Sequence, residues 1–122
     1  MRSIALPTML FLVSLDPANA ATVDGHQLLD WTHSQERSEF AKDKTGKQFA
    51  DDVAATQRFL GYVQGVIDAE NNRNFCVPNE VETWRLVDLV ETWVDVHSAD
   101  QLNQRGDIIV VLALRGDYPC SR

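Results

Sequence analysis

Residues 51–70, DDVAATQRFLGYVQGVIDAE, are the stretch whose reading decides the fold. Projected at about 100° per residue, Val53, Thr56, Phe59, Leu60, Val63, Val66 and Ile67 share one broad face, which predicts a long amphipathic helix. Asp51 and Asp52 suit its positive N-terminal end, and Asn71, Asn72 and Asn74 stop it. Gly61 and Gly65 fall off the apolar face, in a strip with Ala54 and Arg58. Each mid-helix glycine costs about 1 kcal/mol relative to alanine. Close packing by another helix or a second subunit against Gly61 and Gly65 would account for them; simple tolerance is the alternative. Gln57, Arg58 and Gln64 surround the pair, so the small-x-x-x-small spacing is not a membrane signal.

Further along, Pro78 opens a turn and a third helix is predicted over 82–97. Leu86, Val87, Val90, Trp93, Val94 and His97 form its apolar stripe, which Leu89 and Val96 widen, with Asp88, Glu91 and Asp95 opposite. Trp84 projects onto the polar side, either as a contact residue or packed on the Pro78 turn. Residues 98–106 read as a polar loop. Residues 108–114 are apolar all round, and so short a run does not separate a buried helix from a strand. Its Ile and Val content leans toward strand by propensity. In the other direction, Asp24 caps a first helix over 25–34, with Leu28, Leu29 and Thr32 inward. Residues 35–46 are charged and polar, and read as a loop or frayed helix end. Lys42, Lys44 and Lys47 there are the clustered positive charge.

Residues 1–20 read as an export signal: Arg2, an apolar run over 4–15, then Ala18-Asn19-Ala20 of signal-peptidase form, with cleavage expected after Ala20. As a helix the apolar run spans about 18 Å against a hydrocarbon core of about 30 Å, too short for a stable anchor. One domain remains, 21–122, in the periplasm on this reading. Arg2 and Asp16 leave together, so the net charge of −7 is kept. That acidic balance argues against nucleic acid and anionic lipid, and is compatible with a basic protein partner. In an oxidising compartment two lone cysteines pair, so Cys76 and Cys120 are expected to form a disulfide.

Catalytic constellations are weak. His26, Asp30 and His33, spaced i, i+4, i+7, share a helical face that suits a metal, yet exposed polar residues beside Leu28 and Leu29 explain the same letters; no metal or other cofactor is assigned. His97 at a helix C-terminus suits the negative end of the dipole. Arg105-Gly106-Asp107 and Arg115-Gly116-Asp117 read as coincidence. Nothing assembles a nucleophile, a base and an oxyanion site, which favours a binding protein over an enzyme.

Four elements in order then resemble one family. Residues 61–69, GYVQGVIDA, are similar to the GYxxGVxDA segment of the Rap/Tai proteins, the immunity proteins of type VI secretion. Phe75-Cys76-Val77-Pro78 resembles their FCxP element. Leu86-Val87-Asp88-Leu89-Val90 with Trp93 and His97 resembles their third helix, and Ala113-Leu114 with Tyr118-Pro119-Cys120 their ending. The resemblance implies an all-α domain, a small bundle of about four helices with the Cys76–Cys120 disulfide, commonly a homodimer, and a helix rather than a strand for the last apolar element. It implies binding to a peptidoglycan amidase toxin and occlusion of its active site. By position, the binding loop is about 98–105, with Ser98, Asp100, Gln101, Asn103, Gln104 and Arg105 as contacts. Departures are Trp31 and Phe59 where many relatives carry further cysteines, an aromatic contact being one substitute; His97-Ser98 in place of His-Pro; and a poor match before Ala55. The alternative is a periplasmic structural or stress-related helical protein, such as an acid chaperone, with no toxin partner.

The cysteines are 44 positions apart, and closing such a loop stabilises by about 4 kcal/mol through the unfolded chain. Urea unfolding of Cys76→Ala/Cys120→Ala should show a loss approaching that figure; stability equal to the parent would mean the bond does not constrain the chain.

Overall fold

A computed structural model describes residues 22–121; the export signal and its cleavage after Ala20 lie outside the described residues. Four α-helices make up the fold: α1 (Gly25–Glu39), α2 (Lys47–Glu70), α3 (Thr83–Val96) and α4 (Gly106–Arg115), with a 3-10 turn at Gln101–Asn103. No strand occurs among the described residues. The Asp24 side chain accepts the Gln27 N–H at 2.9 Å and caps α1, as its position predicts. Asn72 takes a left-handed conformation, φ 67°, after α2, a geometry asparagine tolerates better than most residues.

Helices α1 and α2 pack along each other in opposite senses: Arg37 meets Asp52 near the connection, and Trp31 meets Tyr62 further out. Both helices extend beyond their predicted ends, α1 to Glu39 and α2 back to Lys47. A polar clasp explains the extension. Arg37 donates to the Asp52 carboxylate at 3.0 and 3.2 Å and to Ser34 Oγ at 2.8 Å. Gln48 donates to the other Asp52 oxygen at 3.1 Å. Asp52 and Ser34 are buried, so Asp52 belongs to the inner face of α2, where the sequence reading put it at the helix start. Lys47 and Asp51 form an exposed i, i+4 pair on the first turns. The Arg37 hydrogen bonds, then that of Gln48, hold the Asp52 carboxyl below the usual carboxylate range. With its folded pKa depressed, the clasp contributes its full stability above about pH 4 and loses it as pH falls through that lowered value.

The buried stripe of α2 runs through Asp52, Ala55, Phe59, Val63, Val66 and Ile67. It is rotated from the predicted face, and leaves Val53 and Leu60 each 37% exposed. Phe75, Leu86, Val90, Val94, Ile109, Val110 and Leu114 complete the core with Leu28. Val96, expected to widen the α3 stripe, is 72% exposed instead. His97 keeps its expected place at the end of α3, stacked on Trp93 with 3.6 Å between ring centroids and with Nδ1 2.6 Å from the Trp93 carbonyl oxygen.

Residues 108–114 are helical, against their propensity. A single apolar strand would bury its N–H and C=O groups with no neighbouring strand to pair them, whereas a helix satisfies them internally. The Cys76–Cys120 disulfide is formed, with its Cα atoms 4.8 Å apart. Beside it the Cys76 N–H donates to the Tyr118 carbonyl at 2.8 Å.

The glycines divide in two. A Cβ on Gly25 would meet Leu102 main-chain oxygen at 2.6 Å and Ile109 at 2.5 Å; one on Gly61 or Gly65 would meet nothing within 4 Å. Close packing against another helix of this chain, one of the expectations for Gly61 and Gly65, is thus corrected: both face outward, because the neighbouring helices lie on the other side of α2. In thermal unfolding, Gly65→Ala should stabilise by about 1 kcal/mol through helix propensity. Gly25→Ala should destabilise by several times as much, because backbone cannot yield to the added methyl.

Candidate partner-binding loop

The segment from Ser98 to Arg105 joins α3 to α4, and it is built rather than slack. Leu102 is buried, inserting into the core from the middle of the 3-10 turn. Its N–H donates to the Ser98 carbonyl at 3.2 Å. The Gln101 side chain turns back to accept from Ser98 N–H and Oγ at 3.1 and 3.2 Å. His26 Nε2 lies 2.9 Å from Asn103 Oδ1, tying the loop to α1. At the far end Gly25 N–H donates to the Gln104 carbonyl at 3.1 Å and Gly106 N–H to the Val23 carbonyl at 2.7 Å. A short antiparallel bridge, Asp24 with Arg105, results.

The six residues expected as contacts come together on this loop, in distinct states. Ser98, Asp100, Gln101, Asn103 and Arg105 are exposed, and Gln104 is half-buried. Gln101 spends its side-chain oxygen on Ser98 within the loop and Asn103 spends its own on His26 of α1, so the amide N–H groups of these two exposed side chains remain as donors. Arg105 pairs with Asp107, Nη2 to Oδ2 2.5 Å. That pairing holds the Asp107 carboxyl below its usual range and the Arg105 guanidinium above its own. Among the described residues nothing hydrogen-bonds the Asp100 carboxylate. The loop therefore presents one negative group and several amide donors on a fixed backbone, a surface able to recognise a partner.

Several sequence readings resolve here. His26 serves the loop, and among the described residues no three His, Cys, Asp or Glu side chains converge as a metal site. Arg105-Gly106-Asp107 is a helix start with a buried glycine, since a Cβ on Gly106 would meet the Tyr62 hydroxyl at 2.8 Å. The aromatic partner of Trp31 is Tyr62, centroids 6.1 Å apart and planes tilted 60°, where the reading of the missing cysteines paired it with Phe59. Lys42, Lys44 and Lys47 are exposed around the α1–α2 connection. Trp84 is 60% exposed, and so does not pack on the Pro78 turn as a buried ring. Leu102 was missed: a single leucine in a polar stretch carries no periodicity, and only the space left by Gly25 makes it a core residue.

Truncating that anchor tests how the loop is held. Leu102→Ala should cost about 3 kcal/mol in urea unfolding and speed amide exchange across 98–105. Unchanged exchange there would show that the hydrogen bonds alone set the loop.

The family model of the Rap1a immunity proteins matches residues 24–120. No curated protein matches the chain. The matched span runs from the cap of α1 to the second disulfide cysteine, reaching back well before Ala55, where the motif-by-motif resemblance begins. It takes in all four helices, the disulfide and the pinned loop together. The chain therefore belongs to the Rap1a immunity protein family, and its role is that of an immunity protein toward a secreted effector.

Proposed function

We propose that this protein is a periplasmic inhibitor that binds a peptidoglycan amidase effector and covers its active site with the loop from Ser98 to Arg105. The family match over 24–120 carries the reading. The loop supports it in kind: Leu102 and the His26–Asn103 bond hold the backbone in place before binding, which lowers the ordering cost of association. The net charge of −7 would steer the protein toward a basic cleft and raise the rate of encounter. Periplasmic location rests on the export signal read over 1–20. No helix among the described residues is long and apolar enough to cross a membrane.

Coexpression with a peptidoglycan amidase effector of the same organism should suppress lysis, and equimolar purified protein should abolish peptidoglycan hydrolysis. Asp100→Lys combined with Gln104→Ala should weaken the complex about tenfold or more, with thermal stability lowered by no more than the loss of the exposed hydrogen bond that the half-buried Gln104 side chain donates to the Gln101 carbonyl. Continued lysis and no complex would end the immunity reading; full inhibition by the double variant would move the contact away from this loop.

A further inference from the structure

A second surface lies along the first half of α3, and its nearest lining residue on that helix, Glu91, stands about 10 Å of helix rise before the loop begins. Here α2 and α3 diverge and leave an open groove of about 700 Å³, closed on one side by Gln35 of α1. Its apolar floor is Leu60, Val87 and the exposed ring of Trp84, and its acidic side is Asp88 and Glu91. No Lys, Arg or His lines it. Gly61 is part of the α2 wall, with nothing within 4 Å of where its Cβ would stand.

We propose that this groove docks a segment of a partner protein that carries an arginine between apolar residues. Three observations select that chemistry. The polar groups along the groove include two carboxylates and the Gln35 amide, whose Oε1 is buried at its edge without any hydrogen-bond partner and is reached by a donor once that side chain turns. Gln35 uses its Nε2 on Glu39 at 3.3 Å, so its oxygen still needs a donor. A guanidinium offers five N–H groups in a planar fork and satisfies several acceptors at once. Next, Glu91 is half-buried among like charges. Burial, then Asp88, Glu39 and Asp95, push its carboxyl above the ordinary range. A cation seated there would remove that conflict. Finally, Leu60 and Trp84 are large apolar side chains held open to water, 37% and 60% exposed, and Gly61 lets a backbone approach the floor. The occupant thus needs apolar flanks as well as charge. Arg85, which lies over the Trp84 ring 5.2 Å from its centroid, already shows that ring accepting a guanidinium. A second copy of the chain is a poor occupant: pairing groove to groove would bring four carboxylates together with no basic residue in either lining, on two bodies of charge −7.

Random peptides of about 12 residues, about 18 Å long if helical, displayed on phage and selected on the intact protein supply the probe. Counter-selection uses the Asp88→Lys/Glu91→Lys variant, with Asp88 exposed and Glu91 half-buried, its fold checked by circular dichroism and thermal unfolding. Peptides preferring the parent should carry arginine beside leucine or an aromatic residue. Synthesised, they should shift the tryptophan emission of the parent but not of Trp84→Phe. Their binding should weaken about tenfold or more in the lysine variant and in Leu60→Glu. Asp100→Lys in the loop and Asp51→Lys on α2 should leave it unchanged, separating this groove from the loop contact and from general attraction to an acidic protein. The proposal is overturned if no arginine-bearing peptide is selected, if Asp51→Lys weakens binding as much as the groove variants, or if the parent is a dimer that Leu60→Glu dissociates. None of these outcomes bears on inhibition of an effector through 98–105.

Discussion

The bond between Cys76 and Cys120 ties the second half of the molecule into a closed loop, and the rest of the architecture is arranged around that closure. It joins the turn after α2 to the residues after α4, so α3, the 3-10 turn and α4 lie between its ends. A chain of this size buries a modest core, and α4 is short. Held covalently at its far end, α4 keeps Ile109, Val110 and Leu114 against α2 and α3 without needing length of its own. The near end is held differently, by the fit of Leu102 over Gly25 and by hydrogen bonds from Gly25 and Gly106 to the facing strands of main chain. The exposed loop is thus suspended between two fixed ends, and takes its shape from them.

Charge in this protein works at two levels. Inside, one carboxylate is buried and matched: Asp52 receives Arg37 and Gln48, and the clasp joins two helices that the connection between them only loosely relates. Outside, carboxylates are in excess and several are unmatched, as Asp100 is on the loop and Asp88 in the groove, beside the half-buried Glu91. A buried unmatched charge would be costly. Exposed ones remain available to an external cation at little cost to folding. The distribution suits a protein whose work is recognition: neutralised where the fold needs order, unneutralised on the surface.

Much of this was legible in the letters. The long helix declared itself by its spacing, Asp24 by its capping position, and the disulfide by there being only two cysteines. The motifs from Gly61 to Cys120 pointed to the family that the match over 24–120 establishes. The loop between α3 and α4 was legible as a polar stretch, although its anchor was not. The errors have a shared origin. Asp52 was read as a helix-start residue because a carboxylate is rarely buried, and the partner that permits it, Arg37, lies across a helix–helix contact. Val53, Leu60 and Val96 were placed inward because apolar residues usually are, yet the helices facing them sit elsewhere.

Periodicity, caps and cysteine count are local quantities, so the sequence by itself determined the class of fold, most helix positions, the covalent closure and the family. Tertiary structure alone decided three things: how far α1 and α2 extend, which side of α2 is buried, and that an acidic, apolar-floored groove stands open beside the loop-bearing helix; for 108–114 it decided between the strand propensity and the helix that the family resemblance implied, in favour of the helix. Each depends on what a residue meets from a distant part of the chain. A buried carboxylate needs its guanidinium, a lone apolar run needs internal hydrogen bonds, and a groove is the space between elements whose separation no single segment encodes.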